Sequence, residues 1–185
     1  MALKAVKKAK ITMEDIDFIG IGVPGAVNPK TGVVEYSANL FFHNWQIVKM
    51  MEERLEKKVS IENDANAAAY GEYLAGAAKG AKNAVVITLG TGIGTGIIIN
   101  GKIYSGSNYA GAEMGHMVIV YNGRECACGR KGCWEAYASA SGLIQMTKEI
   151  ILTERPDSSY MLKQLGGDLN RVNGLTALNA MRAGD

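Results

Sequence analysis

A chain of 185 residues, 48% of them hydrophobic and 21% charged, has the length of one ordinary domain or two small lobes and the composition of a globular protein. A formal net charge of +2 gives no electrostatic basis for a nucleic-acid partner, and no apolar run is long enough to cross a membrane. Few aromatics and 23 glycines point to an α/β protein with tight turns and close backbone approaches, not to disorder.

Residues 2–10 read as the end of an amphipathic helix, with Lys4, Lys7, Lys8 and Lys10 on its solvated face. Asp17 to Val23 is a short apolar strand that Pro24-Gly25 turns off. Asn28-Pro29 and Thr31-Gly32 continue the loop, and a second short strand is expected at Val33 to Tyr36. Trp45, Val48, Met51 or Met50, and Leu55 recur at helical spacing, which predicts a helix over Trp45 to Lys58. A strand at Val59 to Glu62 then runs into Asn63-Asp64.

An alanine-rich stretch from Ala65 to about Ala78 predicts a helix by propensity, with Asn63 or Asp64 suited to cap it and Gly80 to end it. Ala84 to Leu89 is expected as a buried strand. Gly96 to Asn100 and Lys102 to Tyr104 should form a hairpin about Asn100-Gly101. Trp134 to Glu154 and Leu175 to Arg182 complete the expected helices. No internal repeat or linker is visible.

Four stretches carry chemistry. At the corner Glu62-Asn63-Asp64-Ala65-Asn66 a carboxylate ends a strand and begins a helix. Such a group is either a helix cap or a general base, which must stand within hydrogen-bond reach of the proton it takes. The run Thr88 to Gly96 alternates threonine and glycine, exposing backbone N–H groups and hydroxyls that can wrap phosphate, or else making a simple β-turn. It is no dinucleotide fingerprint, since the glycine spacing is wrong and a strand follows. Gly96, Gly101 and Lys102 trace the outline of a Walker loop, but Ile103 stands where the magnesium-binding hydroxyl belongs, and the hairpin turn explains Asn100-Gly101.

His116, Cys126, Cys128 and Cys133 fall within eighteen residues and include every cysteine of the chain. Three thiolates and an imidazole make a closed set suited to structural, tetrahedral zinc, and the spacing is not that of a nucleic-acid zinc finger. A disulfide would leave one sulfur over. Finally, Glu113 and Glu135 bracket these ligands. A zinc staple would hold the two carboxylates at a fixed separation, where they could accept hydrogen bonds from the vicinal hydroxyls of a sugar.

Taken in this order, the segments IGIGVPGAV (19–27), ENDANAAAYGE (62–72), TLGTGIGTGIIINGKIYSG (88–106), GAEMGHM (111–117) and CACGRKGCWEAYAS (126–139) resemble the ROK family of sugar kinases and sugar-responsive repressors, its bacterial glucokinase branch above all. The resemblance implies an α/β, actin-like, ribonuclease-H-like fold of two lobes. Residues 1–62 would belong to the small lobe, and 63–185 to the large lobe with a zinc loop at 116–133. It implies a cytoplasmic, homodimeric enzyme that phosphorylates a hexose, glucose first, at the 6-hydroxyl with ATP and Mg2+. By the same resemblance Asp64 is the catalytic base, and Asn39, Asn63, Asp64, Glu113, His116 and Glu135 contact the sugar. Gly90, Thr91 and Gly92 contact the ATP phosphates, and His116, Cys126, Cys128 and Cys133 ligate zinc.

Family kinases also begin with a strand and an Asp-x-Gly-x-Thr loop for phosphate and magnesium, which is not among these residues, and they continue beyond Asp185. The expected fold is therefore incomplete at both ends, and these 185 residues alone are expected to phosphorylate little. The alternative reading is the sugar-binding portion of a repressor, in which the catalytic carboxylate is often lost. A third is a zinc-stabilised binding module without activity.

Overall fold

A computed structural model of the chain describes residues 2–37, 40–153 and 160–185. The chain divides into two compact units, one of Met1–Val86 with Gly96–Ala112 and one of Ile87–Thr95 with Glu113–Asp185.

The first unit opens with helix α1 (Ala2–Ala9) and strand β1 (Phe18–Val23). A three-stranded antiparallel meander follows, β2 (Ala26–Asn28), β3 (Val33–Ser37) and β4 (Phe42–Trp45). Helix α2 (Ile47–Leu55) then leads to β5 (Lys58–Asn63), which pairs with β1 in parallel so that Gly22 faces Glu62 and Val23 faces Asn63. Val23, Val27, Val34 and Ile61 form the core here, with Phe42, Ile47 and Val48 packed on it. The helix expected from Trp45 begins at Ile47, because Trp45 ends β4 and stacks on Phe42 with ring centroids 4.6 Å apart.

Helix α3 (Asp64–Ala75) stops earlier than Gly80. At Gly76 the Glu72 side chain turns back to accept the Ala77 N–H at 2.8 Å, satisfying a donor past the helix end. The alanines of α3 have a packing reason. A Cβ at Gly96 would meet the Ala69 methyl and the Ala65 carbonyl, so strand and helix approach to backbone contact because Gly96 and Ala69 are small. Strands β6 (Ala84–Leu89), β7 (Ile93–Ile99) and β8 (Lys102–Ile103) form a meander. Its last turn has Asn100 and Gly101 at φ 51° and 75°, the left-handed pair of a tight hairpin, as expected. Strand β6 is not buried as expected. Val85, Ile87 and Leu89 lie 55, 45 and 68% exposed on one face, an alternation that a run with apolar residues on both faces and polar Thr88 on the covered one does not reveal.

In the second unit a 3-10 turn (Met114–His116) enters the cysteine loop, after which come α4 (Glu135–Ala138), α5 (Ala140–Thr153), α6 (Tyr160–Gln164) and α7 (Thr176–Arg182). The single helix expected from Trp134 is broken at Ser139, whose backbone is extended and whose Oγ accepts the Gly142 N–H at 3.0 Å, capping α5. The end expected at Glu154 lies outside the described residues. Ile151, Leu165 and Val172 form the core of this helical end. No helix among the described residues is long and apolar enough to cross a membrane.

Candidate functional site

The corner after β5 shows which residue caps α3. Asn63 is the cap: its Oδ1 accepts the Asn66 N–H at 3.0 Å, and its Nδ2 donates to the Gly25 carbonyl at 3.0 Å, tying the helix start to the turn after β1. One amide hydrogen and one lone pair of Asn63 remain for a ligand. Asp64 is relieved of capping. Its Oδ1 accepts the Ala65 N–H at 2.9 Å, its Oδ2 has no partner among the described residues, and the residue is exposed. Gly22 lies beside it on the neighbouring strand, where a Cβ would sit 3.5 Å from the Asp64 Cβ, an ordinary van der Waals contact. Glu62, to which the sequence assigns no role of its own, accepts the Asn63 N–H at 2.9 Å and the Asn66 side-chain amide at 3.2 Å, bracing the corner. Asn39 lies outside the described residues.

In the second unit the glycine run is held from behind. The carbonyls of Gly90 and Thr91 accept the N–H groups of Ala140 and Ser141 at 2.9 and 3.4 Å, where α5 begins. Gly90 and Thr91 are exposed, nothing would meet a Cβ at Gly90, and the N–H groups of Thr91 and Gly92 have no partner among the described residues. That surface suits an anion. The other two threonines do not contribute. Thr88 Oγ1 donates to the Gly94 carbonyl at 3.1 Å, and the buried Thr95 Oγ1 accepts the Met114 N–H at 3.1 Å.

Glu135 opens α4 half-buried, and its Oε2 accepts the Ile93 N–H at 2.7 Å. Glu113 and His116 flank the 3-10 turn, with the Glu113 carbonyl accepting the His116 N–H at 3.1 Å. Between them Gly115 is buried where a Cβ would strike the Ile93 carbonyl. Strand β7 thus supports the two glutamates and the histidine from one short stretch.

The four metal-ligand candidates converge. One ligand atom each from His116, Cys126, Cys128 and Cys133 lie within 4.8 Å of one another. Zinc bonds of about 2.3 Å to sulfur and 2.0–2.1 Å to nitrogen, at tetrahedral angles, require sulfurs about 3.8 Å apart and a nitrogen about 3.6 Å from each sulfur. Cys128 Sγ lies 3.7 Å from Cys133 Sγ, and Cys126 Sγ lies 3.6 Å from His116 Nδ1. The donors fit a tetrahedral zinc ion, to which His116 would offer Nδ1 and not Nε2.

Turns bring these ligands round. The Gly129 N–H donates to the Cys126 carbonyl at 2.9 Å, with Gly129 at φ 86°. Gly132, at φ 81°, lies against the Val120 carbonyl where no Cβ fits. Burial pushes the Cys126 thiol up to about 11 and raises Cys133. Burial raises Cys128 too, but hydrogen bonds from the Arg130 backbone and side chain and from the other two thiols outweigh it and bring it to about 6. Three thiolates so close together repel, and a dication would offset that.

Arg124 fastens the loop to α5. Its guanidinium makes a two-pronged pair with Glu149, at 2.7 and 2.5 Å, and stands 5.6 Å from the Tyr137 ring centroid. The Tyr137 hydroxyl accepts the Arg124 backbone N–H at 2.8 Å.

The sequence pattern of the ROK family matches residues 2–180. The chain belongs to the ROK family. It is 38% identical over 175 residues to a glucokinase of Thermotoga maritima, covering 93% of this chain and 54% of that protein. It is 43% identical over 164 residues to the xylose repressor of Bacillus subtilis, covering 89% and 41%. The chain spans about half the length, or less, of these curated relatives. Among solved structures, the ROK glucokinase of Streptomyces griseus, in complex with glucose and AMPPNP, superposes with a TM-score of 0.82 at 36% identity, covering all of this chain and 59% of that one. The mixed α/β fold is thus that of ROK sugar kinases, the actin-like fold expected from sequence.

Proposed function

We propose that the complete protein is an ATP-dependent hexose kinase of the glucokinase type, which transfers a phosphoryl group to the 6-hydroxyl of glucose. The observation that carries this reading is the Asn63-Asp64 corner. Asn63 performs the capping, so an exposed carboxylate oxygen of Asp64 is left with no structural duty. In the proposed reaction Asp64 takes the proton of the attacking hydroxyl, and the remaining capacity of the Asn63 amide orients that hydroxyl. Asn39, Glu113, His116 and Glu135 bind the other hydroxyls, His116 through Nε2.

The N–H groups of Thr91 and Gly92, beside the bare Gly90, hold phosphate oxygens; ATP supplies the phosphoryl group and Mg2+ neutralises its charge. Zinc at His116, Cys126, Cys128 and Cys133 is structural, since four protein ligands leave it no open position. Unbridged thiols fit a cytoplasmic protein. We also propose a homodimer, with residues 1–62 in the small lobe of the complete protein and 63–185 in the large lobe.

A sugar-sensing repressor is the second reading, supported by similarity to the xylose repressor. Retention of Asp64 favours the kinase. The discriminating experiment incubates the complete protein with ATP, Mg2+ and a panel of hexoses and locates the phosphate by NMR. Hexose 6-phosphate supports the kinase; sugar binding with no turnover supports the repressor.

A further inference from the structure

Gly92 belongs to the glycine run that suits phosphate, yet its own α-carbon does not face open space. A Cβ built there would run into the carboxylate of Glu135, while the neighbouring Ile93 N–H donates to Glu135 Oε2 at 2.7 Å. Gly92 has no left-handed φ, so its backbone would accept an ordinary side chain. What bars a side chain is the carboxylate alone. Two residues earlier, Gly90 has open space over its α-carbon, so one turn holds two glycines with different duties.

We propose that Gly92 and the Ile93 N–H form a seat for Glu135, making Gly92 a positioning residue for hexose recognition and joining the phosphate turn to the sugar site. This rests on the reading of Glu135 as a sugar contact. Oε2 is spent on the backbone, which fixes the rotamer and leaves Oε1 to accept from a sugar hydroxyl. The same peptide stretch offers the N–H groups of Thr91 and Gly92 to an anion. Whatever orders the turn also orders Glu135, and hexose and nucleotide bind better together than apart.

The test is a cycle of Gly92→Ala, Glu135→Ala and the double variant in the complete protein, read by glucose affinity in calorimetry, ATP KM and melting temperature. Gly92→Ala should weaken glucose binding about tenfold or more, the change expected when a charge-assisted hydrogen bond is displaced, and should lower the melting temperature. With Glu135 truncated the obstruction is gone, so adding Gly92→Ala should cost nothing further in either measurement. Glucose affinity unchanged in Gly92→Ala, or an equal penalty with and without Glu135, overturns the seat. Should Gly92→Ala fail to fold, recovery by the added Glu135→Ala supports the proposal, and continued misfolding refutes it. Absence of glucose binding by the unaltered protein would count against the kinase reading, while the melting-temperature arm still judges the seat.

Discussion

Cys128→Ser separates metal ligation from packing. Cys128 is exposed whereas Cys133 is fully buried, so replacing the Cys128 sulfur by a hydroxyl removes almost no core contact. What it removes is one end of the 3.7 Å edge to Cys133, one vertex of the tetrahedron. Partners one shell out from a metal cost about 10–100-fold in affinity when lost, and a direct ligand should lie at or above that upper end. At fixed free zinc, a hundredfold weaker site forfeits about 2.7 kcal/mol of stabilisation. In a chain of 185 residues, 1 kcal/mol moves the melting temperature by about 2–4 °C, so the loss should be about 5–11 °C. The assay is differential scanning fluorimetry with and without a chelator, alongside metal analysis. Unaltered protein should carry one zinc per chain, and the variant's deficit should vanish once both are stripped. A deficit that persists in stripped protein, or equal zinc content in the two, would refute the structural-metal reasoning.

Gly132→Ala should cost about 1–2 kcal/mol for the left-handed backbone alone, and more for the contact with the Val120 carbonyl, seen as a lower urea midpoint and weaker zinc retention. Glu149→Gln reports on the Arg124 anchor. The hydrogen bonds from Arg124 hold the Glu149 carboxyl below the ordinary glutamate value of about 4.3. The pair therefore contributes stability above that pH and loses it as pH falls through the lower folded value. The melting-temperature gap between variant and unaltered protein should shrink from pH 7 towards pH 3, and salt should narrow it at pH 7. A gap independent of pH would remove the ion pair as its cause.

Strongly patterned stretches were legible in the sequence: β1, β5, α3, the Asn100-Gly101 hairpin and the cysteine cluster. Strands β2 and β4 were not, because Ala26–Asn28 and Phe42–Trp45 are too short and mixed to show alternation, and Trp45 happened to fall in phase with the helix after it. The break at Ser139 depends on one side chain capping α5, which competes with continuation of the helix and wins only in three dimensions. Candidate site residues could be named from residue type, but their partition could not. Whether Asn63 or Asp64 caps α3 is settled by a single hydrogen bond. The inward turn of Thr88 and Thr95 depends on strand orientation. The seat of Glu135 on Ile93 spans 42 positions and leaves no local trace.

The central claim, that Asp64 is the base of a hexose kinase, is tested most directly by steady-state kinetics of Asp64→Asn in the complete protein. The substitution keeps the shape of the side chain and an oxygen for the Ala65 N–H, so the corner should remain folded. A positioned base is worth about 10²–10⁴-fold, and kcat for ATP-dependent phosphorylation of glucose should fall by that factor while glucose affinity changes little. Full kcat in Asp64→Asn would contradict the account and return Asp64 to a merely structural place at the start of α3.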